Sequence, residues 1–247
     1  GQAMWTRSPD GQRVAFENLR MARPGGTLGA PFDAGLAWNA DSRELTARAF
    51  SLGSWQAILP SLPIDPDLRT RLQTLQPQGR FDDLRFSWSG AQPGIDNFSI
   101  AAHFSGLGVT AVDTQPGLTN LTGRIEGDAR AGVFEIDSRQ LSANLPGLFR
   151  EPLFGFDSLL ARGSWKKTPR GRSVTLDEMR FANKDAAGTA KGHYELIAGE
   201  PGVIDLNAHL SRADGTAVYR YLPKAIGDHT VNWLKQGLVA GHSDNVQ

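Results

Sequence analysis

Apolar residues stand at every second position through most of the chain between residues 81 and 210. Leu84, Phe86 and Trp88 are separated by single polar residues, and the segment around Ile100 repeats this pattern. Successive side chains of a β-strand point to opposite faces of the sheet, so this spacing puts the apolar side chains of each strand on one face. The chain is therefore expected to fold mainly as β-structure with one apolar face.

Short connections rich in glycine, proline, asparagine and aspartate separate the alternating segments. Such connections suit antiparallel hairpins, because parallel strands need long crossovers. An apolar-x-Gly-x-(Ile/Trp) pattern recurs at Leu121–Ile125 and Ala161–Trp165, which indicates a meander that grows by adding strands at one edge. The predicted strands after residue 79 are Leu84–Trp88, Phe98–Phe104, Val109–Val112, Leu121–Gly127, Gly132–Ser138, Leu159–Trp165, Val174–Phe181, Thr189–Ile197 and Val203–Leu210.

Helical patterns are few and short. Asp65 can cap a helix, Pro66 suits its first position, and leucines line one side as far as Leu75. Further short helices are predicted at Trp55–Leu59, Thr216–Leu222 and Val231–Leu238. We divide the chain after the Pro66 helix, into an N-terminal β segment at residues 1–78 and a longer β segment with C-terminal helices at residues 79–247.

Composition excludes several classes of function. The 247 residues include 26 basic and 26 acidic side chains and no cysteine. A net charge of zero gives no long-range attraction for nucleic acid, and the lack of cysteine excludes disulfides and thiolate metal sites. We find neither a signal peptide nor an apolar run of the roughly 18 residues that a membrane helix needs. We expect the chain to be a fragment of a longer protein.

Candidate catalytic motifs fail on their context. Gly106–Ala111 has the spacing of a dinucleotide fingerprint, but Pro116 and Gly117 follow where a helix must begin. The five histidines show no metal-ligand spacing. Adjacent carboxylates such as Asp82 and Asp83 point to opposite faces of a strand, whereas a glycosidase needs two that face each other across a cleft. We predict no enzyme activity, no metal site and no cofactor.

A cluster of basic residues without an intervening acid allows two interpretations. Its members are Arg162, Lys166, Lys167, Arg170 and Arg172. The simpler interpretation is a solvated hairpin tip whose charges discourage edge-to-edge pairing. The functional interpretation is contact with anionic lipid headgroups, where each nearby basic residue contributes about 1 kcal/mol.

Several segments in the second half resemble one known family when they are taken together and in order. These segments are Gly132–Asp137, Leu145–Leu153, Leu159–Trp165, Tyr219–Pro223 and Trp233–Gly241. The segment from Leu145 to Leu153 is similar to the LP-x-LFR-x-PL block of the YhdP branch of the AsmA-like family. The match covers about residues 117–247, and the first hundred residues resemble the family only in style.

The resemblance implies a fold and a function. Family members are anchored in the Gram-negative inner membrane and extend a long β-groove across the periplasm, where they are linked to phospholipid transport toward the outer membrane. We therefore expect a long, curved antiparallel meander that forms an open, twisted groove with a few short helices. The implied partners are phospholipid acyl chains, the remaining segments of the parent chain and, through those segments, both membranes. The family carries over no catalytic residues.

The alternating strands supply candidate residues for lining such a groove. They are Leu84, Phe86, Trp88, Phe98, Ile100, Phe104, Ile125, Phe134, Ile136, Leu176, Phe181, Leu196, Ile204, Leu206 and Leu210. A β-sandwich would use the same alternation to fill a dry core, and periodicity alone favours that fold. The alternative function is accordingly a structural or peptidoglycan-contacting scaffold that binds no lipid. The resemblance favours the groove.

Overall fold

The computed structural model describes residues 1–21, 28–55, 66–90, 93–94, 96–197, 202–238 and 241–246. Their strands form a single 13-stranded sheet in which spatial order follows chain order from β1 to β13. Every neighbouring pair is antiparallel. The sheet is an open meander with β1 and β13 as its edges, which confirms the predicted fold class.

The strands are mostly long, and the helices are short. The strands are β1 (Gln2–Ser8), β2 (Gly11–Leu19), β3 (Phe32–Trp38), β4 (Ser42–Ser51), β5 (Gln78–Ser89), β6 (Phe98–Val109), β7 (Gly117–Asp128), β8 (Ala131–Asn144), β9 (Leu153–Thr168), β10 (Gly171–Ala182), β11 (Ala186–Ile197), β12 (Val203–Asp214) and β13 (His242–Val246). The helices are α1 (Leu52–Trp55), α2 (Pro66–Leu75), a 3-10 helix (Gly215–Tyr221) and α3 (Asp228–Gly237).

The two rims of the sheet differ in their connections. Short hairpin turns join the strands at one rim, from the β1–β2 turn to the β9–β10 turn. All the helices that the structure describes lie in connections at the opposite rim. There, α2 is tied to the chain after β6 by a hydrogen bond from the Thr110 N–H to the Leu75 carbonyl oxygen (2.7 Å). The rims are therefore called the hairpin rim and the helical rim.

The buried core lies on one face of the sheet. Leu84, Ala102 and Phe104 are buried, at 8%, 4% and 8% exposure, and Phe86 and Ile100 pack against them. Yet each strand packs along its length only against its neighbours, and within the described ranges no second sheet covers this face. Packing against the side chains of neighbouring strands contributes to this burial.

Bulges keep the apolar residues on one face where the spacing between them departs from two. β6 shifts register between Phe104 and Leu107, where Gly106 adopts φ +59°. Such a bulge inserts one residue and restores the original face. The sequence predicted separate strands at Phe98–Phe104 and Val109–Val112, but β6 continues through this bulge and ends at Val109. The predicted second strand is therefore wrong, and Val112 forms only an isolated bridge with Gln115.

The remaining predictions concern the N-terminal strand, the helices and the division of the chain. β1 forms from residues for which no strand was predicted, because its alternation is weak. The helices at Pro66–Leu75 and near the C-terminus are present, although the first of the C-terminal pair is a 3-10 helix. The helix predicted at Trp55–Leu59 lies outside the described residues except for Trp55, where α1 ends. The division after residue 78 stays a prediction, and β4 pairs with β5 across it.

The apolar face as the candidate functional site

All the predicted lining residues lie on one face of the sheet. Residues paired across antiparallel strands point to the same side, so a chain of pairs traces one face from strand to strand. The central row of pairs from β1 to β12 is Ala3, Phe16, Ala34, Ala47, Leu84, Ala102, Ile125, Phe134, Gly163, Leu176, Gly192 and Leu206. This side is called the apolar face.

Parallel rows on either side of the central row are also apolar. Toward the hairpin rim the next row is Trp5, Val14, Leu36, Leu45, Phe86, Ile100, Gly127, Gly132, Trp165, Val174, Tyr194 and Ile204. Toward the helical rim it is Phe50, Phe81, Phe104, Gly123, Ile136, Ala161, Met179, Ala190 and Ala208. No charged residue interrupts these three rows.

The remaining predicted lining residues lie toward the two rims. Phe181 and Leu210 continue the face toward the helical rim, where Gly188 pairs with both of them. Trp88, Phe98 and Leu196 lie in the last row before the hairpin rim. The fifteen candidates are thus brought onto one continuous surface, although they come from seven different strands.

Sequence reasoning missed a second set of residues on this face. Trp165, Val174 and Tyr194 extend the row through Ile204, and Val14 and Leu36 bring in the N-terminal strands. Glycines at alternate positions weakened the pattern on β9 and β11, because they leave gaps in the apolar series. A period-two search that treats glycine as neutral would have found Trp165 and Tyr194.

Large side chains lie over glycines of neighbouring strands. A Cβ atom at Gly163 would come within 2.5 Å of the Phe134 ring, and one at Gly132 within 2.1 Å of the Trp165 ring. These rings therefore lie flat along the sheet rather than standing upright from it. The Trp165 indole also donates a hydrogen bond from Nε1 to the Asp128 carbonyl oxygen (3.0 Å). Both rings therefore occupy space that a side chain at the neighbouring glycine would need.

Exposure of the apolar face increases toward the edges of the sheet. Leu84 and Ala102 are buried at the centre, whereas Trp5 on β1 is 66% exposed and Ile204 on β12 is 67% exposed. Leu206 and Leu196 are exposed as well. Contiguous exposed apolar area of this kind marks a surface that takes a ligand or partner.

The opposite side, called the polar face, carries a row of alternating charges. Across β3 to β10 the paired residues are Asp33, Arg48, Asp83, His103, Arg124, Glu135, Arg162 and Glu178. Arg124 donates two hydrogen bonds to the Glu135 carboxylate, at 3.0 and 2.8 Å. The Arg124 guanidinium lowers the pKa of Glu135 through these bonds.

Shallow depressions on the polar face follow this row of charges. One of about 420 Å³ is lined by Arg48, Asp83 and Arg124 among others. A second, of about 410 Å³, is lined by Glu135, Arg162 and Glu178. Both charge signs alternate in the two depressions, which gives neither of them a net attraction for ions of one sign.

The predicted basic cluster is divided between the two faces. Arg162 pairs with Glu135 and Glu178 on the polar face, and Lys166 also points to that face, opposite Ser173. Lys167 and Arg172 pair with each other at the hairpin-rim end of the apolar face. Arg170 lies in the β9–β10 turn. Only part of the cluster therefore borders the apolar face.

Asp96 lies beside the two basic residues that border the apolar face. Its Oδ1 is 3.0 Å from Lys167 Nζ and 3.5 Å from Arg172 Nη2. The hydrogen bond from Lys167 lowers the pKa of Asp96. Asp96 precedes β6, and β7 and β8 lie between β6 and the β9 strand that carries Lys167. The contact therefore brings distant hairpins together at this rim.

Chemistry-bearing clusters are sparse elsewhere. Among the described residues, no three histidine or carboxylate side chains come together in an arrangement that could hold a metal ion. None of the helices in the described ranges has the length and apolarity needed to cross a membrane. The candidate site is therefore a surface.

The described strands form one open β-meander with a continuous apolar face, the architecture of a protein that presents an extended apolar surface. The family model described as YhdP protein matches residues 1–247. The chain belongs to the YhdP family, and this family membership confirms the resemblance and suggests lipid transport of the AsmA-like kind. No similar protein was found among curated sequences, and no similar fold was found among solved structures.

Proposed function

We propose that this chain is a segment of a phospholipid conduit whose acyl chains lie on the apolar face. The observation that carries the proposal is the pair of unbroken apolar rows from β1 to β12, on a sheet that no second sheet covers within the described residues. Membership in the YhdP family supports the same function. In the cell envelope the chain would lie in the periplasm, attached to the inner membrane through other parts of the parent protein, and would carry lipid toward the outer membrane.

The energetics of lipid transfer favour a long surface over a closed pocket. Each methylene group that moves from water to an apolar surface gains about 0.8 kcal/mol. Moving both tails of a phospholipid through water would therefore cost tens of kcal/mol by that estimate. Rows of apolar side chains that repeat from strand to strand offer a similar contact at each step, so a lipid can slide without a large barrier.

The apolar face also lacks features of a selective pocket. Its three central rows contain no charged residue, so nothing in them fixes one headgroup. A selective site instead places a few polar groups that converge on the ligand. The proposed lining residues are the predicted ones together with Trp165, Val174 and Tyr194.

Photo-crosslinking at adjacent residues on opposite faces tests the proposal. A photoreactive amino acid at Ile100 is expected to capture phospholipid in cells, whereas one at Ala101, whose side chain points to the polar face, is expected to capture none. Phe134 and Val133 form a second matched pair. Lipid captured equally at both members of each pair, or at neither, would contradict the proposal.

Charged substitutions on the apolar face provide a test of passage. Ile100→Asp and Phe134→Arg are expected to reduce lipid transfer at least tenfold, because each places a charge in the path of the tails. Ala101→Asp is the matched control, since it adds the same charge to the polar face. Equal effects of Ile100→Asp and Ala101→Asp on transfer would argue for a general folding defect instead.

The depressions on the polar face favour one alternative function. A scaffold that contacts peptidoglycan would bind sugars through charged and polar groups such as those around Arg48 and Asp83. Titration with soluble peptidoglycan fragments, followed by chemical shifts of the labelled protein, distinguishes the two functions. Shifts confined to polar-face residues would favour the scaffold.

A further inference from the structure

The last row of the apolar face before the hairpin rim differs from every other row. From β1 to β6 its paired residues are Arg7, Gln12, Trp38, Arg43, Trp88 and Phe98, and it continues on β9 to β11 with Lys167, Arg172 and Leu196. Cations thus stand beside aromatic rings here, whereas the three central rows contain no charged residue. This row is called the basic rim.

The basic rim borders the apolar face directly. Arg43 pairs with Trp88 across β4 and β5. The Trp88 ring contacts the ring of Phe86 on the same face, with 5.7 Å between the ring centroids. Lys167 lies two residues beyond Trp165 on β9, on the same face. A molecule whose tails lie along the central rows would therefore bring its polar end beside these cations.

Among the described strand residues, no row at the helical-rim end of the apolar face carries such cations. On that side the apolar face ends in residues such as Phe50, Leu107 and Val109, and the connections there carry the helices. Phe154, which packs against Phe149 and Tyr221, is covered by two of these connections. The two rims therefore differ in chemistry as well as in their connections.

Carboxylates also lie near the basic rim, in and beside the hairpin turns. Asp96 pairs with Lys167 and Arg172. The carboxylate of Asp128 accepts hydrogen bonds from the backbone N–H groups of Ala131 and Arg130, within its own turn. Asp10 and Asp41 lie in the first two hairpin turns. Arg43 binds a neutral group, the Gly90 carbonyl oxygen.

We propose that the basic rim is the headgroup rim of the trough: it holds the anionic phosphate of a phospholipid whose tails lie on the apolar face. This inference rests on the proposed function and adds a direction to it, because all headgroups would project on the hairpin side. Phosphate is matched by the guanidinium groups of Arg43 and Arg172 and the ammonium group of Lys167. Of the five predicted headgroup residues, Lys167 and Arg172 belong to this rim.

Extraction of two lipids with the same tails tests the inference. Neutral vesicles are doped with tail-labelled phosphatidic acid or with the corresponding diacylglycerol, which lacks the phosphate. The unmodified protein is expected to extract phosphatidic acid at least fivefold better. The triple variant Arg43→Gln, Lys167→Gln, Arg172→Gln is expected to extract both lipids equally, with diacylglycerol extraction unchanged.

Control variants separate the rim from general charge. Arg48→Gln with Arg124→Gln removes cations from the polar face and is expected to keep the fivefold preference. Lys167→Arg retains the positive charge and is therefore expected to retain the fivefold preference for phosphatidic acid. Thermal unfolding of each variant, compared with that of the unmodified protein, shows whether a change in preference reflects a change in stability.

The outcomes distinguish failure of the rim from failure of the conduit. Equal extraction of both lipids by the unmodified protein would overturn the headgroup rim and leave the conduit intact. Extraction of neither lipid would overturn both proposals. If inorganic phosphate at millimolar concentration bound the lipid-free protein at these residues as tightly as the lipid did, the rim would be a site for free anions, and the inference would also fail.

Discussion

Phe134 and Gly163 show how a single residue keeps the trough open. They pair across β8 and β9, and the Phe134 ring lies where a side chain at position 163 would stand. Two upright side chains in that position would fill the space above the sheet. The glycine instead lets the ring lie flat, so aromatic area is exposed without closing the face.

Gly163→Ala is expected to destabilise the protein by about 1–3 kcal/mol, because the new Cβ would meet the Phe134 ring and the Thr175 carbonyl oxygen within 2.5 Å. Gly155→Ala is the matched control, since it lies on the same strand and a Cβ there meets nothing within 4 Å. Urea unfolding followed by circular dichroism measures both. Equal midpoints for the two variants would contradict this account of Gly163.

Alternating charges on the polar face set the register at the scale of strands. Arg124, Glu135 and Arg162 are consecutive members of one row, so each faces a residue of opposite sign. The apolar face also constrains register where a ring lies over a glycine, as Phe134 lies over Gly163. A slip of two residues would leave the apolar side chains on their face but would break these charged pairs as well.

Reversal of one charge in this row tests its role in register. Glu135→Arg places three basic residues in sequence across β7 to β9 and is expected to lower the unfolding midpoint. Adding Arg124→Glu restores opposite charges on β7 and β8 and is expected to recover part of the loss. If the double variant were no more stable than Glu135→Arg alone, the row would not act through its pairs.

The same row predicts a dependence of stability on pH. The pairing with Arg124 lowers the pKa of Glu135 in the folded protein, so the pairing stabilises the fold above the pKa of the unfolded carboxyl group. This contribution is lost as the pH falls through the lowered pKa. The difference in unfolding midpoint between the unmodified protein and Glu135→Gln should therefore shrink on acidification, and a constant difference would contradict the assignment.

A polar junction holds the helical connections at the scale of elements. Arg220 contacts Glu151 at 2.9 Å and Asp185 at 2.5 Å, and Tyr221 donates to Asp185 at 3.1 Å. Burial disfavours the charged guanidinium, but the two carboxylates outweigh it and raise the pKa of Arg220. Burial disfavours the charged form of Tyr221 too, which for a phenol raises the pKa. The junction joins two segments that carry the family resemblance, Leu145–Leu153 and Tyr219–Pro223.

Arg220→Met is expected to destabilise the protein by about 1–3 kcal/mol, because it leaves the buried Asp185 carboxylate without its cation. Arg180→Met serves as the control, since Arg180 is exposed and pairs only locally with Glu178. Thermal unfolding compares the two variants. A larger loss for Arg180→Met would contradict the proposed role of the junction.

At the scale of the whole molecule, stability is expected to vary along the sheet. Most contacts of each strand are with its neighbours in the sheet, so opening at an edge costs few contacts. The buried cluster around Leu84 and Ala102 lies on the central strands, whereas β1 is exposed along its whole length. The molecule therefore resembles a repeat array more than a domain with one enclosed core.

Amide hydrogen exchange measures this gradient. Protection is expected to be highest on β5 to β8 and to fall by more than tenfold toward β1 and β12. Bound phospholipid should raise protection on β12, where Ile204 and Leu206 are exposed. Uniform protection across the sheet would show that the strands unfold as one unit.

Much of the site could be predicted because the period of two acts locally. Leu84, Phe86 and Trp88 share a face in any strand that contains them, whatever the strand pairs with. The positions of the bulges could not be predicted from alternation. The register shift after Leu176 places Met179 on the same face, and no local pattern announces the extra residue.

By itself, the amino-acid sequence determined that the chain forms many antiparallel strands with one apolar face, since side-chain alternation and turn chemistry are properties of neighbouring residues. Only the tertiary structure decided that the rows align from β1 to β12, that Arg162 and Lys167 point to opposite faces, and that cations gather at one rim. The reason is physical: register and curvature depend on bulges and on pairing between distant segments, and a sheet becomes a trough only when its strands curve together.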